Sequence, residues 1–139
     1  MSLFATVLFA GESGYKEIQQ AGSDWAQAIA SRNPEKITAL YDKNALLYAT
    51  FSNLIDTQAG ILEYFKNLTK KKDLKVTFTK QTIRLFNDAA INSGLYVFSF
   101  TENGKTVEVP GRYTFVYAET KSGWKIIDHH SSVSPETAN

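Results

Sequence analysis

The two histidines of this 139-residue chain lie side by side, and they are its best candidates for acid–base chemistry. His129 and His130 follow Asp128 and precede two serines, in a segment rich in strand-forming residues. An imidazole changes its charge near neutral pH, and a neighbouring carboxylate can orient it as a general acid or base. Successive side chains on a strand point to opposite faces, so one histidine faces the interior and the other faces away.

Strict alternation places one set of residues of this strand on a common face, namely Trp124, Ile126, Asp128, His130 and Ser132. We expect this set to face inward, so that His130 lines a cavity, with a purely structural, hydrogen-bonded histidine as an equal alternative. Asp128 and His130 are then the catalytic candidates. Their side chains start about 7 Å apart, which is long for a direct proton relay.

The preceding strand carries an arginine that fits the same inner face. Arg112 alternates with large aromatic residues and shares its side with small ones, which favours a pocket. A buried guanidinium needs an anion, which Asp128 or the carboxylate of a ligand held bidentately would supply. The opposite face would form a subunit interface through its large uncharged residues, namely Tyr113, Phe115, Tyr117 and His129. A bend at Pro110-Gly111 would shift this alternation.

Aromatic residues elsewhere in the chain complete the predicted pocket. Tyr96 and Phe98 lie on another strand-like segment, and the other aromatic candidates for the wall are Trp25, Tyr41, Tyr48, Tyr64 and Phe65. For the aromatic residues on the helices, plain core packing is the favoured interpretation, and contact with a ligand is the alternative.

Composition excludes several classes of function. The net charge is +1, which gives no electrostatic basis for binding nucleic acid or an anionic membrane. The chain has no cysteine, and its two histidines, adjacent on a strand, point apart and cannot hold one ion together. We therefore predict no metal and no cofactor.

The first residues form an apolar arm, 1–13, ahead of a single domain at 14–139. This arm is too short to span a bilayer. A secretory signal would require a basic residue near its start, but no Lys or Arg precedes Lys16. We expect it to pack on the domain or on a partner subunit. The expected location is the cytoplasm, with the periplasm or secretion as the alternative.

The order of elements predicts an α+β fold, with helices first and strands after. Apolar residues at helical spacing predict a helix over 14–31, a short one capped by Asn33, and a third capped by Asp56 or Thr57. A short strand near 45–50 and four long ones follow, at about 74–86, 89–100, 105–119 and 123–133. Short turns between the long strands predict a cone-shaped, curved antiparallel sheet with three N-terminal helices covering its concave face.

These elements and four segments together resemble the nuclear transport factor 2-like superfamily. The segments are Trp25 to Ala28, Asn33-Pro34, Val109 to Tyr117 and Gly123 to Ser132. Within it the chain is most similar to the association domain of calcium/calmodulin-dependent protein kinase II and to small bacterial, polyketide cyclase-like relatives. The resemblance implies a homodimer through the convex sheet face, or a larger ring, and a pocket under the helices.

Three functions remain open, and the leading one is a dimerising domain that binds a small molecule. Its ligand would be anionic, or apolar with a polar head, and would bind in a pocket lined by Arg112 and His130. The second is a cofactor-independent lyase or isomerase acting on a polyketide-like or steroid-like ring. Against it, the position of the catalytic base in the related ketosteroid isomerase falls near Ala49, where no carboxylate is present. The third is an association module with a vestigial pocket.

Overall fold

The computed structural model describes residues 3–135, apart from the side chains of residues 3–10 and of Glu12. The elements, in chain order, are α1 (Leu3–Ser31), α2 (Pro34–Thr38), β1 (Tyr41–Tyr48), α3 (Gln58–Leu68), β2 (Lys72–Leu85), β3 (Ala89–Glu102), β4 (Lys105–Thr120) and β5 (Gly123–Val133). The α+β fold is confirmed, and the four long strands lie within two residues of their predicted bounds. Helix α1 begins at Leu3 rather than at Gly14. The packing of the arm 1–13 depends on side chains that lie mostly outside the described residues, so it stays a prediction.

One five-stranded sheet forms the body of the fold, in the order β1-β5-β4-β3-β2. Strands β2 to β5 form an antiparallel meander, and β1 pairs with β5 in parallel. The turn between β3 and β4 contains Asn103 and Gly104 at φ 53° and 74°, the left-handed conformation that a two-residue hairpin requires. Asn33 caps α2 and Thr57 caps α3, each by accepting a hydrogen bond from a backbone N–H.

Two of the register shifts in the sheet matter most for its curvature and for which side chains point inward. The register of β2 against β3 shifts between Phe78 and Lys80, where Gly94 of β3 approaches so closely that a Cβ atom would overlap the carbonyl oxygen of Lys80. The register of β5 against β4 shifts at Ile127, since Val116 pairs with Asp128 but Tyr117 pairs with Ile126. The pairing of Pro110 with β3 shows no shift.

The shift at Ile127 makes the predicted facing of β5 wrong from Asp128 onward, while Trp124 and Ile126 face the core as predicted. It inserts one extra residue, so Ile126 and His129, three positions apart, both point inward and are 1% and 3% exposed. His130 is exposed on the outer face, where Asp128 lies half-buried beside it. Alternation from Trp124 gave the opposite answer because it assumed an unbroken strand.

The facing of β4 was predicted wrongly as well. The aromatic residues assigned to a subunit interface, Tyr113, Phe115 and Tyr117, are all buried under the helices. Arg112 lies on the outer face and is exposed. Large apolar rings gain more free energy in the core than on a surface, and here they fill the space between sheet and helices.

Helix α1 covers this inner face and supplies the centre of the core. Ile18, Trp25 and Ile29 are fully buried on its inner side. The Trp25 ring lies 5.0 Å from the Phe115 ring, in an edge-to-face arrangement, and stacks 5.9 Å from the Tyr96 ring. Such aromatic contacts each add about 1 kcal/mol beyond the burial of area, so this cluster fixes the position of the helix on the sheet.

Two buried tyrosines of β4 differ in one respect that mutation can test. The hydroxyl of Tyr117 has no hydrogen-bond partner among the described residues, whereas Tyr113 donates to Oδ1 of Asn92 at 2.9 Å. Tyr117→Phe should leave the free energy of unfolding unchanged or raise it by about 1 kcal/mol, because it removes an unsatisfied buried group. Tyr113→Phe should lower it by about 1–3 kcal/mol, because Asn92 loses a partner. Urea denaturation measures both, and a loss for Tyr117→Phe as large as that for Tyr113→Phe would contradict this account.

Candidate ligand-binding site

A cavity of about 210 Å³ lies between the inner face of the sheet and helices α1 and α3. Its wall is mostly apolar and includes Phe65, Leu68, Phe98 and Phe100. The polar groups come from a few positions, namely Thr50, Tyr64, Lys71, Tyr96, His129 and Ser131. A largely apolar cavity with a small number of placed polar groups is the usual form of a small-molecule site.

The predicted site residues fall into two groups, one in the cavity wall and one on the outer face of the sheet. Four of them lie in the cavity wall, namely Trp25, Tyr64, Tyr96 and Phe98. The other three, Tyr48, Arg112 and His130, are exposed on the outer face, so the expected cavity lined by Arg112 and His130 is corrected. Contact of the first four with a ligand stays a prediction.

His129 takes the place that was expected for His130. Its Nδ1 lies 2.8 Å from the Tyr41 hydroxyl, and its Nε2 lies 3.3 Å from the Tyr96 hydroxyl. Burial, and to a smaller extent the neighbouring His130, lowers the pKa of His129 to about 3. The imidazole is therefore neutral at physiological pH, and both of its nitrogens are engaged.

The contacts of His129 continue in both directions as a chain of hydrogen bonds. Trp25 Nε1 donates to the Tyr41 hydroxyl at 3.1 Å, which closes the inner end. On the other side Tyr96 donates to Ser131 Oγ at 2.6 Å, and Ser131 Oγ lies 2.8 Å from Thr50 Oγ1. Burial raises the pKa of Tyr41 and of Tyr96 above the ordinary value, so both hydroxyls keep their hydrogens. This chain of hydrogen bonds runs from the core to the cavity wall.

Lys71 is the charged residue that the structure places in the cavity wall. Its Nζ lies 4.2 Å from the centre of the Phe100 ring, a cation–π contact that holds the ammonium beside the apolar lining. In the sequence it belongs to a run of three lysines, which is typical of a solvated loop. The folded structure, and not the sequence, shows that Lys71 alone of the three contributes to the cavity wall.

The catalytic candidates lie outside this cavity. Asp128 and His130 both project from the outer face of β5, where the His130 ring stacks on the Tyr48 ring at 5.4 Å. Partial burial raises the pKa of Asp128, and the nearby His130 opposes that effect. The pair is therefore a surface cluster on the side opposite the helices.

The described residues offer neither a metal site nor a membrane-spanning helix. Among the residues that the structure describes, no three His, Asp or Glu side chains come together where they could hold a metal ion. In residues 3–135 no helix combines the length and the apolar character needed to cross a bilayer.

Comparison with known proteins identifies the family. Residues 14–135 match the family model of the calcium/calmodulin dependent protein kinase II association domain. The chain belongs to this family. A solved structure described as an association domain of this kind, from Xanthomonas campestris, is 37% identical over 87% of this chain and 88% of its own, with a TM-score of 0.82. None of the curated proteins compared with the chain matches it.

More distant structures share the fold. The calcium/calmodulin-dependent protein kinase II hub of S. rosetta is 22% identical over 86% of this chain and 95% of its own, with a TM-score of 0.72. A protein of the nuclear transport factor 2-like family from Streptomyces avermitilis, described as a dehydratase, is 14% identical over 89% of this chain and 98% of its own, with a TM-score of 0.80. The predicted resemblance to the superfamily and to the association domain is confirmed.

The buried histidine predicts a specific pH dependence of stability. An unfolded histidine has a pKa of about 6.5, so between that value and 3 the unfolded chain binds a proton that folded His129 does not. Stability should therefore fall as the pH falls from 6.5, by about 2 kcal/mol at pH 5. Urea denaturation at pH 7 and pH 5 should show this loss in His130→Gln but not in His129→Gln. Equal losses in the two variants would show that His129 is not the group responsible.

Proposed function

We propose that this chain is a self-associating domain that binds a small, largely apolar molecule with a polar head in the cavity beneath α1 and α3. The observation that carries the proposal is the cavity itself, whose wall is aromatic and aliphatic except for a few placed polar groups. In a domain of this size an apolar space is normally filled by side chains, because tight packing stabilises the core. Here the volume is left open beside Phe98 and Phe100.

The size and charge of the cavity restrict the ligand. Its volume of about 210 Å³ exceeds the roughly 150 Å³ of an engineered cavity that binds benzene, so a molecule of one or two rings fits. The ammonium of Lys71 offers a carboxylate an ion pair, while the hydroxyls of Thr50 and Ser131 offer hydrogen bonds to a neutral head. An anionic or polar-headed aromatic compound is therefore the ligand class that we propose.

The lyase or isomerase alternative has less support. A general base must accept a proton, but both nitrogens of His129 are engaged and its pKa is lowered to about 3. Asp128 and His130, the other candidates, point away from the cavity. The likeness to the Streptomyces avermitilis protein concerns the fold alone at 14% identity. We therefore favour binding over catalysis.

Self-association is proposed from the relatives and from the outer face of the sheet. The related structures from Xanthomonas campestris and S. rosetta are described as an association domain and a hub. On this chain the face of the sheet opposite the helices exposes Tyr48 and Leu95, which are 38% and 39% exposed, and Val97 and Val116 lie half-buried on the same face. A second copy of the chain would cover this apolar surface. The residues first assigned to the interface are core residues, so the proposed contact uses this second set.

A charge on the outer face should weaken the proposed self-association. Leu95→Asp places a carboxylate in the centre of that face, so the mass measured by analytical ultracentrifugation should fall to that of one chain. The control is Phe86→Asp, because Phe86 is 54% exposed at the turn between β2 and β3, away from the face. This control should keep the mass of the unaltered protein. A monomeric unaltered protein, or equal dissociation of the two variants, would contradict the proposed interface.

Ligand binding should appear as a rise in the thermal unfolding midpoint. One- and two-ring aryl carboxylates and ketones should raise it, since a ligand at ten times its Kd adds about 1.4 kcal/mol to the stability of the folded state. Lys71→Ala should reduce the shift caused by the carboxylates and leave the shift caused by the ketones. Arg112→Ala should change neither, because Arg112 lies on the outer face. If no compound shifts the midpoint, or if only Arg112→Ala abolishes the shift, the proposed cavity is not the binding site.

A further inference from the structure

We infer that the hydrogen-bond chain from Trp25 to Thr50 presents one unused hydroxyl hydrogen to the cavity, and that the Thr50/Ser131 end of the cavity therefore favours a neutral acceptor, such as an aryl ketone or aldehyde carbonyl, as the head of the ligand. This inference rests on the proposed function, because it concerns the same cavity. It goes further by assigning a direction to every hydrogen bond of the chain and a chemical class to the group that meets its end.

A count of hydrogens shows that one is left over. Six groups each bring a single polar hydrogen, namely Trp25, Tyr41, neutral His129, Tyr96, Ser131 and Thr50. They are joined in a row by five contacts, and each contact uses one hydrogen. One hydrogen of the row therefore has no acceptor within it, and its position depends on the direction of the chain.

The direction is set by the hydrogen bond from Tyr96 to Ser131, and the bond from Trp25 to Tyr41 is compatible with it. An indole N–H only donates, so the oxygen of Tyr41 accepts from Trp25. Tyr96 donates its hydrogen to Ser131, so its contact with His129 must be donated by Nε2–H. A neutral imidazole then has a bare Nδ1, which accepts from Tyr41. These hydrogen bonds therefore require the tautomer of His129 that carries its hydrogen on Nε2.

The leftover hydrogen therefore belongs to the last pair. Ser131 donates to Thr50 or Thr50 donates to Ser131, and in either case one of the two hydroxyls keeps a free hydrogen. Both residues line the cavity and are half-buried. Once a ligand has displaced water from this end of the cavity, the free O–H keeps a hydrogen bond only if the ligand brings an acceptor.

The number of donors at this end favours a neutral carbonyl. A ketone or aldehyde oxygen is satisfied by one donor, whereas a carboxylate needs several donors or a cation, and the cation of this cavity, Lys71, takes no part in the hydrogen-bond chain. An amine brings its own hydrogens and leaves the free hydroxyl hydrogen without a partner. Tyr64 also lines the cavity but makes none of the hydrogen bonds of this chain, so it provides a matched control.

The first test measures the tautomer and needs no ligand. Nitrogen-15 NMR of the imidazole side chains at pH 7, with the signals assigned by comparison with His130→Gln, should show His129 protonated at Nε2 and bare at Nδ1. An Nδ1–H tautomer would reverse the direction of the chain and overturn the inference, while the proposed function would stand.

The second test compares two ligands of the same shape. These are 2-acetylnaphthalene and 2-isopropenylnaphthalene, in which a CH₂ group replaces the carbonyl oxygen. Removing both terminal hydroxyls, in Thr50→Val/Ser131→Ala, should lower the ratio of ketone to hydrocarbon affinity about three- to tenfold. Tyr64→Phe should leave this ratio unchanged.

The outcomes of the second test separate the two proposals. A ratio that is unchanged in the double variant, or that falls as much in Tyr64→Phe, overturns the inference while ligand binding stands. Binding of neither compound to the unaltered protein overturns the ligand-binding proposal, and this inference with it. Should the double variant fail to fold, the tautomer measurement on the unaltered protein still decides the direction of the chain.

Discussion

The rest of the site depends on the burial of His129 as a neutral imidazole with a partner on each nitrogen. A buried polar ring costs free energy unless it is hydrogen-bonded, and here one tyrosine from β1 and one from β3 supply the two bonds. Those tyrosines are in turn held by Trp25 of α1 and Ser131 of β5. Hydrogen bonds thus join α1, β1, β3 and β5 around one imidazole ring. This network keeps one side of the cavity wall rigid.

The bulge at Ile127 is what brings the ring inside. It allows Ile126 to fill the core against Tyr117 while His129, three residues later, reaches the chain of hydroxyls. Without the extra residue, an inward Ile126 would turn Asp128 and His130 inward as well and place a carboxylate among the core aromatics. Burial of that carboxylate without a cation would cost several kcal/mol, so the irregular pairing is the stable one.

The sequence allowed the fold to be predicted better than the site. Turn residues such as Asn103-Gly104, the Asn33 cap and the change from helical to strand-like periodicity depend on local physics, and the elements follow them closely. The facing of His129 and His130 depends on one inserted residue in the pairing of β5 with β4, for which the sequence carries no local signal. The facing of Arg112 depends on which side of β4 the helices cover, and there the aromatic residues occupy the core. The inward turn of Lys71 likewise depends on tertiary packing.

The same pair of adjacent histidines shows why the two faces of the sheet cannot be considered separately. A slip of β5 by one residue would exchange His129 and His130, and with them every neighbouring side chain. The inner position has Tyr41 and Tyr96 ready to bond a neutral ring, while the outer position offers the Tyr48 ring for stacking and the carboxylate of Asp128. Each environment suits the histidine that it holds, so both faces favour one register. The polar chain that ends at the cavity is therefore held in place partly by residues on the opposite side of the sheet.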